Sequence, residues 1–222
     1  MSGTRKAVEA LGPEAPAHCS LCPRLAAFRA EIATVEPTWF NGAVPSFGPN
    51  SAELLIVGLA PGRNGANRTG RPFTGDYAGD LLYATLLEFG LAQGNYHASP
   101  DDGLTLSNCM ITNAVRCVPP QNKPTPEEIA TCRPYFAARV AALPKLKIML
   151  ALGRIAHDQT LTTLKLRKAD FAFAHGARHE LGGGRVLYDS FHCSRYNTNT
   201  RRLTPDMFRS VFSAIRDELS LG

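Results

Sequence analysis

The sequence predicts an α/β protein of three layers, in which a central, mainly parallel four-stranded sheet lies between two layers of helices. Short, almost wholly apolar segments alternate along the chain with segments of helical periodicity. Strands that are apolar on both faces are typical of a parallel sheet that is covered on both sides. The 222 residues contain no stretch that resembles a linker, so we expect a single domain over 1–222.

The first half of the chain contains one predicted strand. We expect a short helix over 1–11 and a helix over 23–34, where a proline occupies the first turn. Residues 36–52 are rich in proline and glycine and are expected to form a loop. Branched apolar side chains predict a buried strand over 53–58, and leucines at helical spacing predict a helix over 77–89.

The second half of the chain contains three further predicted strands. They cover 109–115, 146–152 and 185–190. A Thr-Pro-Glu-Glu capping box predicts a helix over about 126–142, and a second Thr-Pro pair predicts a last helix over about 205–219. A short helix is expected from Gly153, while residues 161–184 have no clear periodicity.

The loops that follow the strands are expected to meet at one edge of the sheet. In open parallel sheets, ligands bind outside the carboxyl ends of the strands. The sequence therefore predicts a single cleft built from the loops after Val57, Ile111, Leu150 and Tyr188.

Composition excludes two classes of protein. With 44% hydrophobic and 19% charged residues, the chain can bury a core and is not disordered. No apolar run approaches the ~20 residues of a membrane helix. Because no apolar segment follows Arg5 and Lys6, we expect no secretory signal and a cytoplasmic protein. The net charge of +5 is compatible with a polyanionic partner but does not identify one.

The six cysteines suggest a metal or cluster site. Cys19 and Cys22 form a C-x2-C pair, and Cys117 and Cys132 follow with 14 residues between them. Four thiolates could bind a [4Fe–4S] cluster or one Zn²⁺. The absence of a second C-x2-C pair favours a cluster, and the alternative is that Cys117 and Cys132 are small core residues. Cys109 is expected in the core.

The polar loop after the first strand carries several candidate binding residues. It contains neither a Walker pattern nor G-x-G-x-x-G, but its glycines leave backbone N–H groups free to approach a ligand. Arg68 and Arg71 could meet phosphates or could be solvated. Phe73 could stack on a flat base or fill a packing gap. Asp76 is expected at a helix N-cap, where its pKa tends to fall, and could also orient a water molecule.

Two further strand ends carry polar candidates. Asn113 could form hydrogen bonds with the edge of a base, or it could stabilise the conformation of a loop. His192 could donate a hydrogen bond to a leaving group, although a lone histidine is more often structural. The segment after His192 is polar and cationic and suits a nucleic-acid backbone, with a solvated turn as the alternative. Its candidate DNA-binding residues are Arg195, Tyr196, Asn197, Arg201 and Arg202.

Taken together, these motifs resemble the uracil-DNA glycosylase superfamily, and within it the family 5, or B-type, enzymes. The resemblance covers roughly residues 19–211. Its specific parts are GLAPG with NRTGRPFTGD, TNAVRCVPPQNKP, and HCSRYNTNT. It implies a uracil-DNA glycosylase-like fold and a structural [4Fe–4S] cluster on Cys19, Cys22, Cys117 and Cys132.

The resemblance also implies roles for the candidate residues. Other families of the superfamily activate water with a polar residue shortly after the first strand, where this chain has Ala60. In family 5 the aspartate of GRPFTGD takes that role, which here is Asp76. Phe73 then stacks on the base, and Asn113 and His192 contact it.

The implied activity is base excision from DNA. The protein would flip out uracil, hypoxanthine or xanthine and hydrolyse it, leaving an abasic site without strand cleavage. Gly58, Ala60 and Gly62 would complete the base pocket. We expect a monomer that acts on DNA, located in the cytoplasm and associated with the nucleoid of a prokaryote. The alternatives are a non-catalytic iron–sulfur DNA-binding protein and a phosphate-binding hydrolase.

Overall fold

The computed structural model describes residues 12–221, so the helix expected over 1–11 lies outside the described residues. The strands are β1 Leu54–Gly58, β2 Ala92–Gln93, β3 Thr105–Leu106, β4 Cys109–Asn113, β5 Ile148–Leu152, β6 Arg178–Gly182 and β7 Arg185–Ser190. The helices are α1 Pro23–Val35, α2 Ala66–Thr69, α3 Tyr77–Glu88, α4 Pro126–Ala141, α5 Arg154–Thr163, α6 Arg195–Asn199 and α7 Pro205–Leu221.

The central sheet has five strands rather than four. Their order is β4-β1-β5-β7-β6, and all neighbours are parallel except β6, which pairs antiparallel with β7. The fifth strand, β6, lies within residues 161–184, where the sequence shows no clear periodicity. Since β6 is an edge strand with three of its five residues exposed, it lacks the continuous apolar run that identified the other four.

Helices cover both faces of the sheet, which confirms the three-layer α/β prediction. Leu54 and Ile56 of β1 belong to a core that includes residues of α3 and α7. Leu55 and Val57 point to the opposite face, where they belong to a core with residues of α4 and α5. Successive side chains of a strand point to opposite faces, so one apolar strand can serve both layers.

A smaller lobe holds the cysteine segments beside the sheet. Its core contains Leu25 of α1 and Ile129 of α4 together with Cys117 and Cys132. The predicted capping box is present: Thr125 Oγ1 accepts from the Glu128 N–H at 3.2 Å, and Glu128 accepts from the Thr125 N–H at 2.8 Å. Because Glu128 also pairs with Arg24 at 2.7 Å, the cap joins α4 to α1.

Candidate active site

A cleft of about 550 Å³ opens at the carboxyl ends of the central strands. It is lined by Phe73 and Asp76 from the segment after β1, by Asn113 at the end of β4, and by His192 after β7. Residues that are far apart in sequence thus line a common cavity, whose volume is typical of a small-molecule site. Ala60 also lines it.

Gly58 allows the aromatic ring and the amide to approach the end of β1. It pairs in register with Asn113 across the parallel strands. A Cβ atom at Gly58 would lie 2.7 Å from Phe73 Cζ and would also collide with Asn113 Oδ1. Phe73 itself has a φ of 54°, in the region that favours glycine, so the surrounding loop must hold it there.

The Asn113 side chain can accept a hydrogen bond from a ligand. Asn113 is 2% exposed, and its Oδ1 has no hydrogen-bond partner among residues 12–221. Burying an amide oxygen without a partner costs about 1–3 kcal/mol. A ligand with a hydrogen-bond donor would remove that cost.

Asp76 is the N-cap of α3, as the sequence predicts. Its Oδ1 accepts from the Gly79 N–H at 3.0 Å. A Cβ atom at Gly65 would lie 2.9 Å from Asp76 Cγ, so the glycine-rich loop packs directly against the carboxyl group. The predicted fall in pKa is wrong: burial raises the pKa of Asp76, and this outweighs the hydrogen bonds from the Gly79 and Ala78 N–H groups, which lower it.

A buried ion pair holds the loop that carries Phe73. Arg71 is 5% exposed, and its guanidinium donates to both carboxylate oxygens of Asp102 at 2.8 Å. Its Nε donates to Thr74 Oγ1 at 2.7 Å. Since Arg71 is buried and its charge is paired, its predicted contact with DNA is wrong, and its place is inside the loop. The Arg71 hydrogen bonds hold the pKa of Asp102 far below its usual range.

Two tyrosines complete this support. Tyr83 Oη donates to the Pro72 carbonyl at 2.6 Å, and Tyr96 Oη donates to the Phe73 carbonyl at 3.4 Å. The two rings stack with centroids 4.6 Å apart. The backbone on either side of the strained Phe73 is therefore anchored to the core.

His192 lines the cleft from the segment after β7. Its ring centroid lies 5.9 Å from that of Phe73. Burial lowers the pKa of His192 to about 4, so the imidazole is neutral at neutral pH. Asn197 donates from Nδ2 to the His192 carbonyl at 2.8 Å, which gives Asn197 a role in shaping the loop. Its contact with DNA stays a prediction.

The other residues predicted to bind DNA lie at the surface. The sequence places Arg68, Arg195, Tyr196, Arg201 and Arg202 in this set, and all five are exposed. Arg195 lines the cleft and stacks over Tyr77, with its Cζ 5.3 Å from the ring centroid. Tyr196 is 72% exposed.

Several cleft residues were not identified from the sequence. Among them are Arg63, Tyr77 and Asn122, whose side chains are able to contact a ligand. Asn122 and the preceding Gln121 both have positive φ, at 57° and 54°. The Pro-Pro pair before them indicates a turn next to the second predicted strand, and that signal could have placed Asn122 at the cleft.

The four predicted cysteine ligands lie together. Cys19, Cys22, Cys117 and Cys132 line one cavity in the smaller lobe. Burial raises the pKa of Cys117 to about 12 and that of Cys132 to about 11. A bound cation would reverse this, since coordination deprotonates a thiol. The Arg116 N–H donates to Cys132 Sγ at 3.3 Å.

A second cluster of polar residues, which was not identified from the sequence, is centred on Asp189 of β7. Asp189 accepts from His157 Nδ1 at 2.7 Å and from His179 Nε2 at 2.9 Å. His157 Nε2 contacts the Phe171 carbonyl at 3.0 Å. Both partners of His157 are acceptors, so this geometry favours the protonated ring, in which both nitrogens donate. Within the described ranges, this is the only trio of metal-ligating side chains whose ligand atoms lie within 4.8 Å of one another.

Comparison with known proteins identifies the family. Residues 45–216 match the family model described as the uracil DNA glycosylase superfamily. The chain is 47% identical to a type-5 uracil-DNA glycosylase of Thermus thermophilus, over 87% of this chain and 90% of that protein. It is 41% identical to a type-5 uracil-DNA glycosylase of Mycobacterium tuberculosis, over 87% and 75% of the two chains.

A type-4 uracil-DNA glycosylase of Saccharolobus solfataricus is 28% identical, over 79% of this chain and 77% of that protein. The chain therefore belongs to the uracil-DNA glycosylase superfamily, and the type-5 relatives place it in family 5 within that class. In the part of the chain that the structure describes, no helix has both the length and the apolar character needed to cross a membrane.

Proposed function

We propose that this protein is a monofunctional DNA glycosylase that flips uracil out of DNA and hydrolyses its N-glycosidic bond, leaving an abasic site. The observation that supports this most directly is the convergence of Phe73, Asp76, Asn113 and His192 on one cleft, in a chain of this superfamily. A base within a duplex is out of reach of such a cleft, so the nucleotide must be extruded first.

The cleft is suited to hold a flat heterocycle. The Phe73 ring offers a stacking face, a contact worth about 1–3 kcal/mol per base. Asn113 offers an amide whose buried oxygen can accept from an N–H at the edge of the base. Ala60 and Gly62 leave room for the base, and Gly58 completes the pocket by letting Phe73 and Asn113 approach each other.

The chemical step needs charge stabilisation on both sides of the breaking bond. The electron pair of the C1′–N1 bond leaves with the base, and the sugar passes through an oxocarbenium-like transition state. Neutral His192 donates a hydrogen bond to the negative charge that develops on the base. Asp76, as a carboxylate, holds the attacking water, offsets the sugar's positive charge and accepts the proton when the water oxygen bonds to C1′.

The residues that line the cleft, as far as the chain is described, include no lysine. A Schiff base with the sugar is therefore not part of the proposal, and the product is an abasic site without strand cleavage. Arg68, Arg195, Arg201 and Arg202 are exposed near the cleft segments and would neutralise phosphates.

We further propose that Cys19, Cys22, Cys117 and Cys132 bind a [4Fe–4S] cluster. A tetrahedral Zn²⁺ with bonds of about 2.3 Å would bring its sulfurs to about 3.8 Å apart. No three of these described cysteines have sulfur atoms within 4.8 Å of one another. The wider spacing fits a cluster better than one ion. When bound, the cluster would brace α1 and α4, and it takes no part in the hydrolysis.

The same proposal covers additional substrates, the oligomeric state and the location of the protein. Ala60 leaves the pocket without a polar side chain shortly after β1, so hypoxanthine and xanthine are proposed as additional substrates. The protein is proposed to act on DNA as a monomer, in the cytoplasm and associated with the nucleoid of a prokaryote.

An excision panel tests the activity. The holoprotein is incubated with oligonucleotides that carry uracil, hypoxanthine, xanthine or thymine, and released base and alkali-labile abasic sites are measured. We expect release of uracil without strand cleavage before alkali. Retention on DNA with no released base from any substrate would instead support the non-catalytic iron–sulfur DNA-binding alternative.

A further inference from the structure

A shallow groove lies beside the smaller lobe, outside the candidate active site. Its volume is about 390 Å³, and Trp39 and Phe40 form one side of it. The opposite side is α1, which presents Ala26, Ala30 and Ala33 to the groove. These alanines are spaced at helical intervals on one face of α1, and Arg29 of the same helix also lines the groove although it is only 5% exposed.

The groove is joined to the cleft by one cationic side chain. Arg63 lines the cleft, and its Cζ also lies 5.9 Å from the centroid of the Trp39 ring. The Phe40 N–H donates to the Arg68 carbonyl at 3.0 Å, and the Asn41 N–H donates to the Asn67 carbonyl at 3.0 Å. The aromatic segment is thus fixed to α2, which begins at the wall of the cleft.

The chemistry of the groove matches single-stranded nucleic acid. Arg63, which contacts the Trp39 ring, is exposed at its edge, and a phosphate favours such a cationic side chain. Phe40 is 41% exposed, and Trp39 is partly exposed. Aromatic side chains beside arginines bind successive unpaired bases by stacking, with little dependence on sequence.

We propose that the Trp39–Phe40 groove binds the DNA strand that flanks the excised nucleotide, on one side of it only. The strand leaves the cleft across Arg63, and an unpaired flanking base stacks on Trp39. This subsite rests on the proposed function, since it positions the strand whose nucleotide enters the cleft. It also gives the protein a preference for substrates that are single-stranded on that side.

Trp39 is the only tryptophan in the chain, so all tryptophan fluorescence of the protein comes from this groove. The holoprotein carrying Asp76→Asn is titrated with a single-stranded uracil oligonucleotide. We expect quenching that saturates with binding and that is lost when the flank on one side of the uracil is removed. Unchanged fluorescence under conditions where anisotropy of a labelled oligonucleotide shows binding would overturn the proposal.

Steady-state kinetics provides the second measurement. On a substrate with both flanks, Trp39→Ala should raise KM by about 5- to 100-fold, as expected for the loss of one stacked base, with little effect on kcat. Trp39→Phe keeps an aromatic face and should restore most of the affinity. Val35→Ala removes an apolar side chain that is 64% exposed but does not line the groove, and it should match the wild type.

A substrate that lacks the flank bound by the groove distinguishes the proposed DNA subsite from the proposed glycosylase function. Wild type and Trp39→Ala should then have the same KM while both still release uracil. Equal KM values on the full substrate, with uracil released normally, would exclude the groove as a DNA subsite and leave the glycosylase function intact. Absence of uracil release by the wild type would instead contradict the proposed function.

Discussion

At the scale of single residues, Asp76 combines the role of helix N-cap with the proposed role of proton acceptor. As the N-cap of α3, it is held by the Gly79 N–H, and the lack of a side chain at Gly65 leaves room for the carboxyl group. Burial raises its pKa, so the carboxylate is a better proton acceptor than an ordinary surface aspartate.

The substitution Asp76→Asn separates capping from catalysis. Asparagine is as good an N-cap as aspartate, so α3 and the fold should be unaffected. Loss of the charge should lower kcat for uracil excision by about 10²–10⁴-fold, the usual contribution of a general base. Single-turnover excision and DNA affinity are measured together, with affinity expected to stay within a few-fold. Wild-type excision by this variant would remove Asp76 from the mechanism.

At the scale of structural elements, the loop between β1 and α3 is held by contacts from a later part of the chain. Arg71 is paired with Asp102, which precedes β3, and Tyr96 contacts the carbonyl of Phe73. Asp102 also accepts from the His97 and Leu104 N–H groups, each at 3.0 Å. The segment around Asp102 therefore fixes the position of the stacking ring.

Asp102→Asn should weaken this support. The substitution leaves the buried Arg71 charge without its partner, which typically costs about 3–5 kcal/mol. We expect the free energy of unfolding, measured in urea, to fall by that order, and KM for the oligonucleotide to rise as Phe73 loses its fixed position. Asp101→Asn changes the exposed neighbouring carboxylate and should alter neither quantity. Comparable losses in both variants would show that the effect is not due to the ion pair.

The junction of α5 and β7 should respond to pH. Burial lowers the pKa of His157, but the hydrogen bond and charge of Asp189 outweigh it, and the net pKa is raised. Since the folded pKa lies above the unfolded value of about 6.5, this stabilisation is complete below about pH 6.5 and is lost as pH rises through the folded pKa.

Urea unfolding of the wild type and of His157→Gln at several pH values measures this contribution. The difference in unfolding free energy between them should shrink as pH rises above about 6.5. His97→Gln, at an exposed histidine, serves as the control and should differ little from the wild type at every pH. A difference for His157→Gln that stays constant with pH would mean that folding does not change the pKa of His157.

At the scale of the whole molecule, the cysteine lobe and the sheet are joined by ion pairs from distant segments. Glu14 pairs with Arg139 of α4 at 2.5 Å and with buried Arg116 at 3.2 Å. These two contacts attach the segment before Cys19 to the rest of the protein, and the Arg24–Glu128 pair attaches α1 to α4. A metal group on the four cysteines would cross-link the same segments.

Removal of one cysteine ligand tests this arrangement. Cys117→Ser should abolish the brown colour and the absorbance band near about 400 nm, reduce the iron content, and lower the Tm, because cluster binding is coupled to folding of the lobe. Cys109→Ala changes a buried cysteine outside the lobe and should keep its iron. Anaerobically prepared wild-type protein that is colourless and contains zinc would exclude the cluster.

The sequence by itself determined the four parallel strands, the capped helices and the edge of the sheet at which the cleft lies. These follow from local patterns, since apolar runs, capping boxes and glycine-rich turns act over a few neighbouring residues. The motifs also identified Phe73, Asp76, Asn113 and His192, and the structure brings all four to one cavity.

Only the tertiary structure decided which polar groups meet. The pairing of Arg71 with Asp102, the raised pKa of His157 beside Asp189, and the raised pKa of Asp76 depend on contacts between distant segments and on burial. The edge strand β6 likewise forms through pairing with β7 rather than through its own apolar character. Local sequence patterns carry no information about such partners, because hydrogen bonding and desolvation are fixed only when the chain is packed.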